Sequence, residues 1–477
     1  MRKVFASIFW VFFLFGTAPA ASRIDALPAP EQAAIDRISA SSMRGNLSFL
    51  ASDALEGRAT PSRGLDIAAE FIASQFRRAG LDPVAKDGSY FQKARFAEVT
   101  PRLDDFRLTL QAGSQSIELT SEKVRVHALS PLDLKDADVV GLPSTGNLPP
   151  IEGKVVAGEG KIYGSEASLN RLQALKPALI LLMNRRRGQE ETRSFLEETE
   201  SPRAPVIRIG SEDAVRALSE SRKLIVSLHL SGPARKDTVL ENVAGILRGS
   251  DPVLRDQYVI LTAHYDHLGM LAPGAGDRIY NGANDNGSGV VSVIEIASAL
   301  ATLTPHPKRS ILFMAVFGEE SGLLGSYYYV RHPLAPLKDT IANINLEQMG
   351  RTDDKDGPKV GAFAFTGPSF SDLPARMGAA AKAEGVKVYS EQGADGFFDR
   401  SDNYAFALAG IVAHTAVVAF EYPDYHGLGD EWRKIDYANM AKVDRAVAAG
   451  LLDLADSDGV PKWNGVKETQ HYREAGR

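Results

Sequence analysis

Residues 310–322 read SILFMAVFGEESG, with two adjacent glutamates where the apolar run stops. Ser310–Phe317 is rich in branched and aromatic residues, the composition of a strand buried on both faces. Gly318 turns the chain, so Glu319 and Glu320 stand just beyond the strand's carboxyl end. In isolation an acidic pair at a turn is ordinary surface chemistry. Its meaning depends on what the neighbouring strand ends carry.

From Val239 onward the chain alternates strands, turns and helices. Buried strands are expected at Tyr258–Ala263, Ser310–Phe317, Ile341–Leu346, Val360–Phe365 and Ile411–Phe420, and helices at Gly289–Leu303, Ser369–Glu384 and Tyr437–Ala455. That alternation predicts an α/β fold with a mixed, largely parallel central sheet flanked by helices. In such sheets the working residues collect outside the carboxyl ends of the strands. His264-Tyr265-Asp266-His267 follows YVILTA, NGANDNGSG carries Asp285 just before a helix, and Glu347 ends IANINLE. IVAHTAVVAFEYPDYH delivers His426.

Each of these has a plain reading. HYDH could be a strand-end turn, NDNGSG a turn with Ser288 as helix N-cap, Glu347 a surface residue and His426 a loop histidine. NDNGSG is neither an EF-hand loop, because Gly282 and Val293 would fall where carboxylates are required, nor a nucleophile elbow, because the outer glycines are missing. Ordered recurrence after successive strands is what argues for a site. These exits place histidines and carboxylates together with no Lys or Arg among them, and such a concentration of negative charge calls for a compensating cation. Two His and three carboxylates without sulfur suit Zn²⁺ or a similar divalent ion. A pair of ions about 3.5–4 Å apart needs a bridging carboxylate, and Asp285 on its tight Asn/Gly loop is the natural one. His127, His229, His306, His332 and His471 occupy ordinary contexts, and His267 and His414 read as packing or supporting residues.

The chain has 477 residues, 44% hydrophobic and 24% charged, enough for two or three domains. A formal net charge of −6 and the lack of any basic stripe exclude a nucleic-acid partner. The densest basic cluster, Arg185–Arg187, reads as a solvated loop. There are no cysteines, which excludes disulfides, a thiolate nucleophile and cysteine-held zinc. Met1-Arg2-Lys3, an apolar run from Val4 to Gly16, and Ala18-Pro19-Ala20 form a secretory signal pattern over 1–20, cleaved near Ala20. The expected location is secreted or periplasmic, without a stable membrane span after cleavage. Residues 21–119 read as the N-terminal part of the main domain, with helices over Ile35–Ala54 and Gly64–Ala79, the latter stopped by Gly80. Residues 120–235, with short strands and Pro/Gly turns, read as an inserted, smaller, β-rich α/β domain. The catalytic domain spans 236–456, and 457–477 reads as a loose polar tail.

From about Asn242 to the last helix the chain resembles the M28 family of co-catalytic zinc aminopeptidases. The resemblance rests on His264-Tyr265-Asp266, the Asn284–Ser288 loop, Gly318-Glu319-Glu320, Tyr425-His426, and SDNYAFALAG at Ser401–Gly410. Upstream, LSFLASDALEGRATPSRG at Leu47–Gly64 is similar to the family's N-terminal region, and the insert resembles a protease-associated domain. It implies a zinc-exopeptidase fold and two Zn²⁺ ions, other divalent ions being possible. Asp285 would bridge them, His264 and Glu347 completing one site and Glu320 and His426 the other. Glu347 stands where the family more often has Asp. Asp266 would orient His264. Glu319, unbound, would be the general base towards a water shared by the two ions, and peptides with a free N-terminus the substrates. The alternatives are a dipeptidase or carboxypeptidase, for which Arg351 and Arg400 are the nearby cations, a single-zinc glutaminyl-cyclase-like transferase, and a non-catalytic scaffold. The oligomeric state is not legible in the sequence.

Overall fold

Wholly buried apolar runs need cover on both faces, and the chain supplies it with helices packed on a central sheet. The computed structural model describes residues 27–184, 194–197, 203–221, 223–391 and 393–476. The expected leader and the Arg185–Arg187 cluster lie outside these residues. The central sheet consists of β1 (Phe91–Thr100), β2 (Ser194–Glu197), β3 (Ala234–Leu247), β4 (Tyr258–His264), β5 (Ser310–Val316), β6 (Thr340–Glu347), β7 (Ala362–Phe365), β8 (Lys387–Val388) and β9 (Ala413–Val417), in the order β8-β7-β9-β6-β4-β5-β3-β1-β2. A short strand at Asp82–Pro83 also pairs with β3.

At the centre, β5, β4, β6 and β9 run parallel. Every residue of β4, β5 and β9 is buried. The register sets the site. His264 pairs with Val316, and Thr262 with Asn345, so the Glu319–Glu320 turn and Glu347 leave the sheet beside His264. Helix α3 (Gly289–Leu300) starts at the same edge and is buried almost all round. Helices α4 (Leu373–Ala383) and α5 (Tyr437–Asp456) approach closely at Gly450, where a Cβ would meet Met377 Sδ at 2.5 Å.

The predicted helix over Ile35–Ala54 is divided. Ala29–Ile35 forms one helix, and Ala40–Leu50 a second after Ser39, whose side chain accepts from the Ser42 amide at 3.2 Å. A serine that caps a new start competes with continuation through it. The helix Arg63–Ala79 ends at Gly80 with φ +79°, as a left-handed stop requires.

A second sheet lies between β1 and β3 in sequence. Its order is Gln115–Leu119, Arg107–Ala112, Leu224–Leu230, Leu132–Gly141, Val155–Glu159, Leu179–Met183, Val206–Ile209, Val124–His127. It has its own apolar core, including Leu110, Leu181, Ile207 and Val226. The sheet begins before the expected boundary at 120, because Arg107–Ala112 pairs with both Gln115–Leu119 and Leu224–Leu230. From within the same stretch, β2 returns to the central sheet against β1. The segment expected as a loose tail is packed: Trp463 and Tyr472 stack with centroids 5.0 Å apart, and Tyr472 is buried against Phe398. Two large aromatic surfaces outweigh the polar composition around them.

Among the described residues no helix is long and apolar enough to cross a membrane. Asp444 lies buried on α5, where burial, aided by Glu295 and opposed by Ser292, pushes its carboxyl up to about 8. The folded chain keeps a proton that the unfolded chain gives up near pH 4, so stability falls as pH rises from about 4 towards 8. Asp444→Asn removes that loss. In urea unfolding the variant should gain on the wild type with rising pH, by roughly 1–3 kcal/mol near pH 8 and less near pH 5.

Candidate active site

Each side chain at the sheet edge is aimed by a specific neighbour. His264, 1% exposed, turns Nδ1 towards Asp266, with the backbone oxygen at 3.2 Å and Oδ1 at 3.5 Å. That leaves Nε2 facing the site, 3.3 Å from Asp285 Oδ1 and 3.4 Å from Glu347 Oε1. Asp285 directs its other oxygen, Oδ2, to His426 Nε2 at 3.2 Å. His426 Nε2 is also 3.4 Å from Glu320 Oε1, which lies 2.9 Å from His267 Nδ1. Two donor groups thus share Asp285: His264, Asp285 and Glu347 on one side, and Asp285, Glu320, His426 and His267 on the other. Ligand atoms of His264–Asp285–Glu347 lie within 4.8 Å of one another, as do those of His267–Asp285–Glu320. Nitrogen and carboxylate oxygens without sulfur fit zinc or another borderline divalent ion.

Glu319 stands apart from both groups. Its Oε2 is 4.0 Å from His264 Nε2, and its amide donates to Asp266 Oδ1 at 3.1 Å. Burial, then Glu320 and Glu347, push its carboxyl well above the ordinary range against the pull of His264. For His426, burial lowers the pKa, but Asp285 and Glu320 outweigh it and raise the ring to about 10. Burial would raise Asp285, yet the bonds from His264 and His426 hold it well below the usual range. Imidazoles and carboxylates here each favour the other's charged form, and the nitrogen atoms that do so are those a divalent ion would address.

The loop Asn284–Ser288 works through its backbone and amides. Asn286 Nδ2 donates to the Leu346 oxygen at 2.8 Å, and Asn286 Oδ1 accepts from the Gly289 amide at 3.0 Å. Asn284 Oδ1 accepts from the amides of Gly350 and Arg351 at 2.8 and 3.0 Å. Ser288 Oγ donates to the Asn284 carbonyl at 2.8 Å and accepts from Met349, so it joins loop to strand exit in place of capping α3. These bonds fix Asp285 relative to Glu347. Ser401 Oγ donates to Glu347 Oε1 at 2.6 Å and accepts from Asn345 Nδ2 at 2.8 Å.

Two supports are absent from the motif reading. Asp430, fully buried, accepts from the amides of Asn284 and Asp285 at 2.9 and 3.0 Å and from Tyr422 OH at 2.9 Å. Arg58 lies buried beneath the same loops. Its charge acts on Asp266, Asp430, Asp285 and Glu320, so the chain does bring a cation to the acidic cluster, though not from a strand exit. Aspartate at a loop end and arginine in a distant helix-rich segment give no periodic signal. His267, read as a supporting residue, reaches Glu320 directly. His414 lies elsewhere, between Ser371 Oγ at 2.6 Å and the Thr366 carbonyl at 2.8 Å. Arg351 is held by Asp353 and Asp424, and Arg400 lies over the Phe397 ring at 4.5 Å.

His264, Asp285, Glu319, Glu347 and His426 line a cavity of about 340 Å³ whose other walls include Phe397, Arg400, Phe420, Tyr422 and Tyr425. A shared carboxylate between two His/carboxylate groups, with a further glutamate alongside, has the donor set that metal-dependent hydrolases use. Residues 242–451 match the model of peptidase family M28. Aminopeptidase YwaD of Bacillus subtilis is 34% identical over 152 residues, 32% of this chain and 30% of that one, so the match spans less than a third of YwaD's length. Probable leucine aminopeptidase 2 of Aspergillus oryzae is 24% identical over 400 residues, covering 75% of this chain and 74% of that one. The aminopeptidase of Aneurinibacillus sp. strain AM-1 shares the fold with a TM-score of 0.57 at 20% identity, over 92% of this chain and 98% of that chain. BSAP, a zinc aminopeptidase of Bacillus subtilis, has a TM-score of 0.50 at 21% identity, over 88% and 97%.

Ser401→Ala removes the bond that holds Glu347. Zinc affinity should fall roughly 10–100-fold, as for other partners of metal ligands, read by competition with a chelating dye, with little change in the ion-free melting temperature.

Proposed function

We propose that this chain is an exported dinuclear zinc aminopeptidase that removes the N-terminal residue of peptides. The observation that carries the reading is the division of Asp285 between the two groups, one carboxylate oxygen towards His264 and the other towards His426. His264 and Glu347 would hold one ion and Glu320 and His426 the other, with Asp285 common to both. Bound zinc supplies Lewis-acid polarisation and lowers the pKa of water.

The chain's own residues account for the rest. Glu319 takes a proton from the attacking water as its oxygen adds to the scissile carbonyl carbon. When the C–N bond breaks, the same carboxyl returns that proton to the leaving nitrogen. Asp266 supports this division of labour twice, through His264 on one side and the Glu319 amide on the other. The cavity is acidic around the reacting centre, which favours an amine over a carboxylate. Of the two cations a carboxypeptidase could use, Arg351 is already paired with Asp353 and Asp424, and Arg400 lines the cavity over the Phe397 ring. The aminopeptidases among the similar proteins support the same direction of cleavage. The apolar N-terminal segment supports export to the periplasm or beyond, and the second sheet is read as a protease-associated-type insertion.

The test pairs a peptide bearing a free α-amine with its N-acetylated form. The free peptide should lose its first residue and the acetylated one should resist. Equal cleavage, or release from the carboxyl end, would overturn the reading. Glu319→Gln should lower kcat by about 10²–10⁴ while elemental analysis still finds two zinc ions per chain, as for the wild type. Loss of zinc in that variant would make Glu319 a ligand.

A further inference from the structure

Residues 56–58 form an unusual turn. Glu56, Gly57 and Arg58 take φ of +49°, +69° and +50°, so two side-chain-bearing residues are left-handed in succession around a glycine. That backbone costs energy unless surrounding contacts enforce it. The contacts are tight: a Cβ on Gly57 would lie 2.3 Å from the Gly269 carbonyl oxygen and 2.5 Å from that of Tyr280. The turn is wedged against the hairpin that connects His267 to the Asp285 loop.

The wedge drives the Arg58 side chain to 1% exposure. Its Nε donates to the Tyr265 carbonyl at 2.8 Å, Nη1 to Leu50 at 2.5 Å and Asn281 at 2.8 Å, and Nη2 to Gly282 at 2.9 Å. The Arg58 carbonyl accepts from the His267 amide at 3.2 Å. Two residues on, Thr60 Oγ1 donates to Asp266 Oδ2 at 3.0 Å. All four guanidinium bonds go to backbone oxygens, whereas a buried cation ordinarily pairs with an anion. Three of the four carbonyls belong to the two segments that carry His264 and Asp285, and the fourth, Leu50, ends the helix Ala40–Leu50. Tyr265 lies between His264 and Asp266, and Asn281–Gly282 lead into Asn284–Asp285. A planar fork with fixed donor directions can hold those segments at one spacing, which a flexible ammonium cannot.

We infer that Arg58 is a positioning residue of the metal centre: by clamping the His264 exit to the Asp285 loop, it sets the affinity with which those residues hold a divalent ion. This rests on the reading that His264 and Asp285 are metal ligands. The guanidinium charge itself opposes a bound cation, so the gain in affinity comes from the geometry that the fork enforces.

The experiment measures zinc dissociation constants by competition with a fluorescent chelator, alongside ion-free melting temperatures. It compares the wild type, Arg58→Lys, Arg58→Gln and the remote core variant Leu451→Ala. Lysine keeps the charge and loses the fork, while glutamine keeps two donors and loses the charge. Both Arg58 variants should bind zinc at least tenfold more weakly than the wild type, and Leu451→Ala should bind as the wild type does despite a lower melting temperature. A folded Arg58 variant binding within threefold of the wild type would overturn the inference. So would losses matched by Leu451→Ala, or failure of both Arg58 variants to fold in excess zinc, which would make Arg58 a residue of the fold alone. A wild type that binds no zinc would instead overturn the metal-site reading itself.

Discussion

Negative charge gathered at the carboxyl ends of parallel strands is the constraint on which the rest of this molecule depends. Asp266, Glu320 and Glu347 lie within a few residues of those ends, Asp285 and Asp430 come in on loops, and all five are largely buried. Bringing them together is unfavourable unless positive charge or donated protons compensate. The chain meets the requirement in layers. Imidazoles of His264, His267 and His426 face the carboxylates directly, backbone amides are aimed at Asp430 and Asp266, and Arg58 sits beneath. His426 itself is held at φ +52°, a further local cost at the place where the chemistry is concentrated.

The inserted sheet bears on the same edge. Its core is separate, yet β2 leaves it to extend the central sheet, and Glu197 on β2 is 3% exposed between Arg331 and His332. Those two residues end and follow the helix Leu324–Arg331, which begins just after the Glu319–Glu320 turn. A buried carboxylate bonded to both is costly to separate from them. The second sheet is thereby tied mechanically to the helix that follows the Glu319–Glu320 turn, beyond the covalent connections at its two ends.

The central strands were legible because burial on both faces writes a continuous apolar run, and their exits were legible because chemistry-bearing residues recur after each. Asp285 could be read from its Asn/Gly loop, and the Gly80 helix stop from its sequence. Local competition was harder to read: Ser39 divides a helix that periodicity alone would continue, and two aromatics pin a C-terminal segment whose composition is polar. Contacts between distant segments leave no local pattern. Arg58 meets carbonyls more than two hundred residues away, and Asp430 meets the Asp285 loop across nearly one hundred and fifty. Both act on backbone atoms, so neither creates a complementary residue type that a reading of side chains could find.

Glu347 shows how such support can fix a longer carboxylate. A glutamate in place of aspartate adds a methylene and a rotatable bond, which would let the carboxylate wander and cost entropy on binding. Here Oε1 nevertheless lies 3.4 Å from His264 Nε2, at the same focus as Asp285. Ser401 donates to that oxygen at 2.6 Å, and Ser401 is itself fixed by Asn345, whose Oδ1 accepts from Thr262 on β4. The longer side chain is thus restrained through a relay running across the sheet to the strand that bears His264. Glu347 and His264 are set by one hydrogen-bonded network, so the extra reach of glutamate becomes a fixed offset and need not loosen the site.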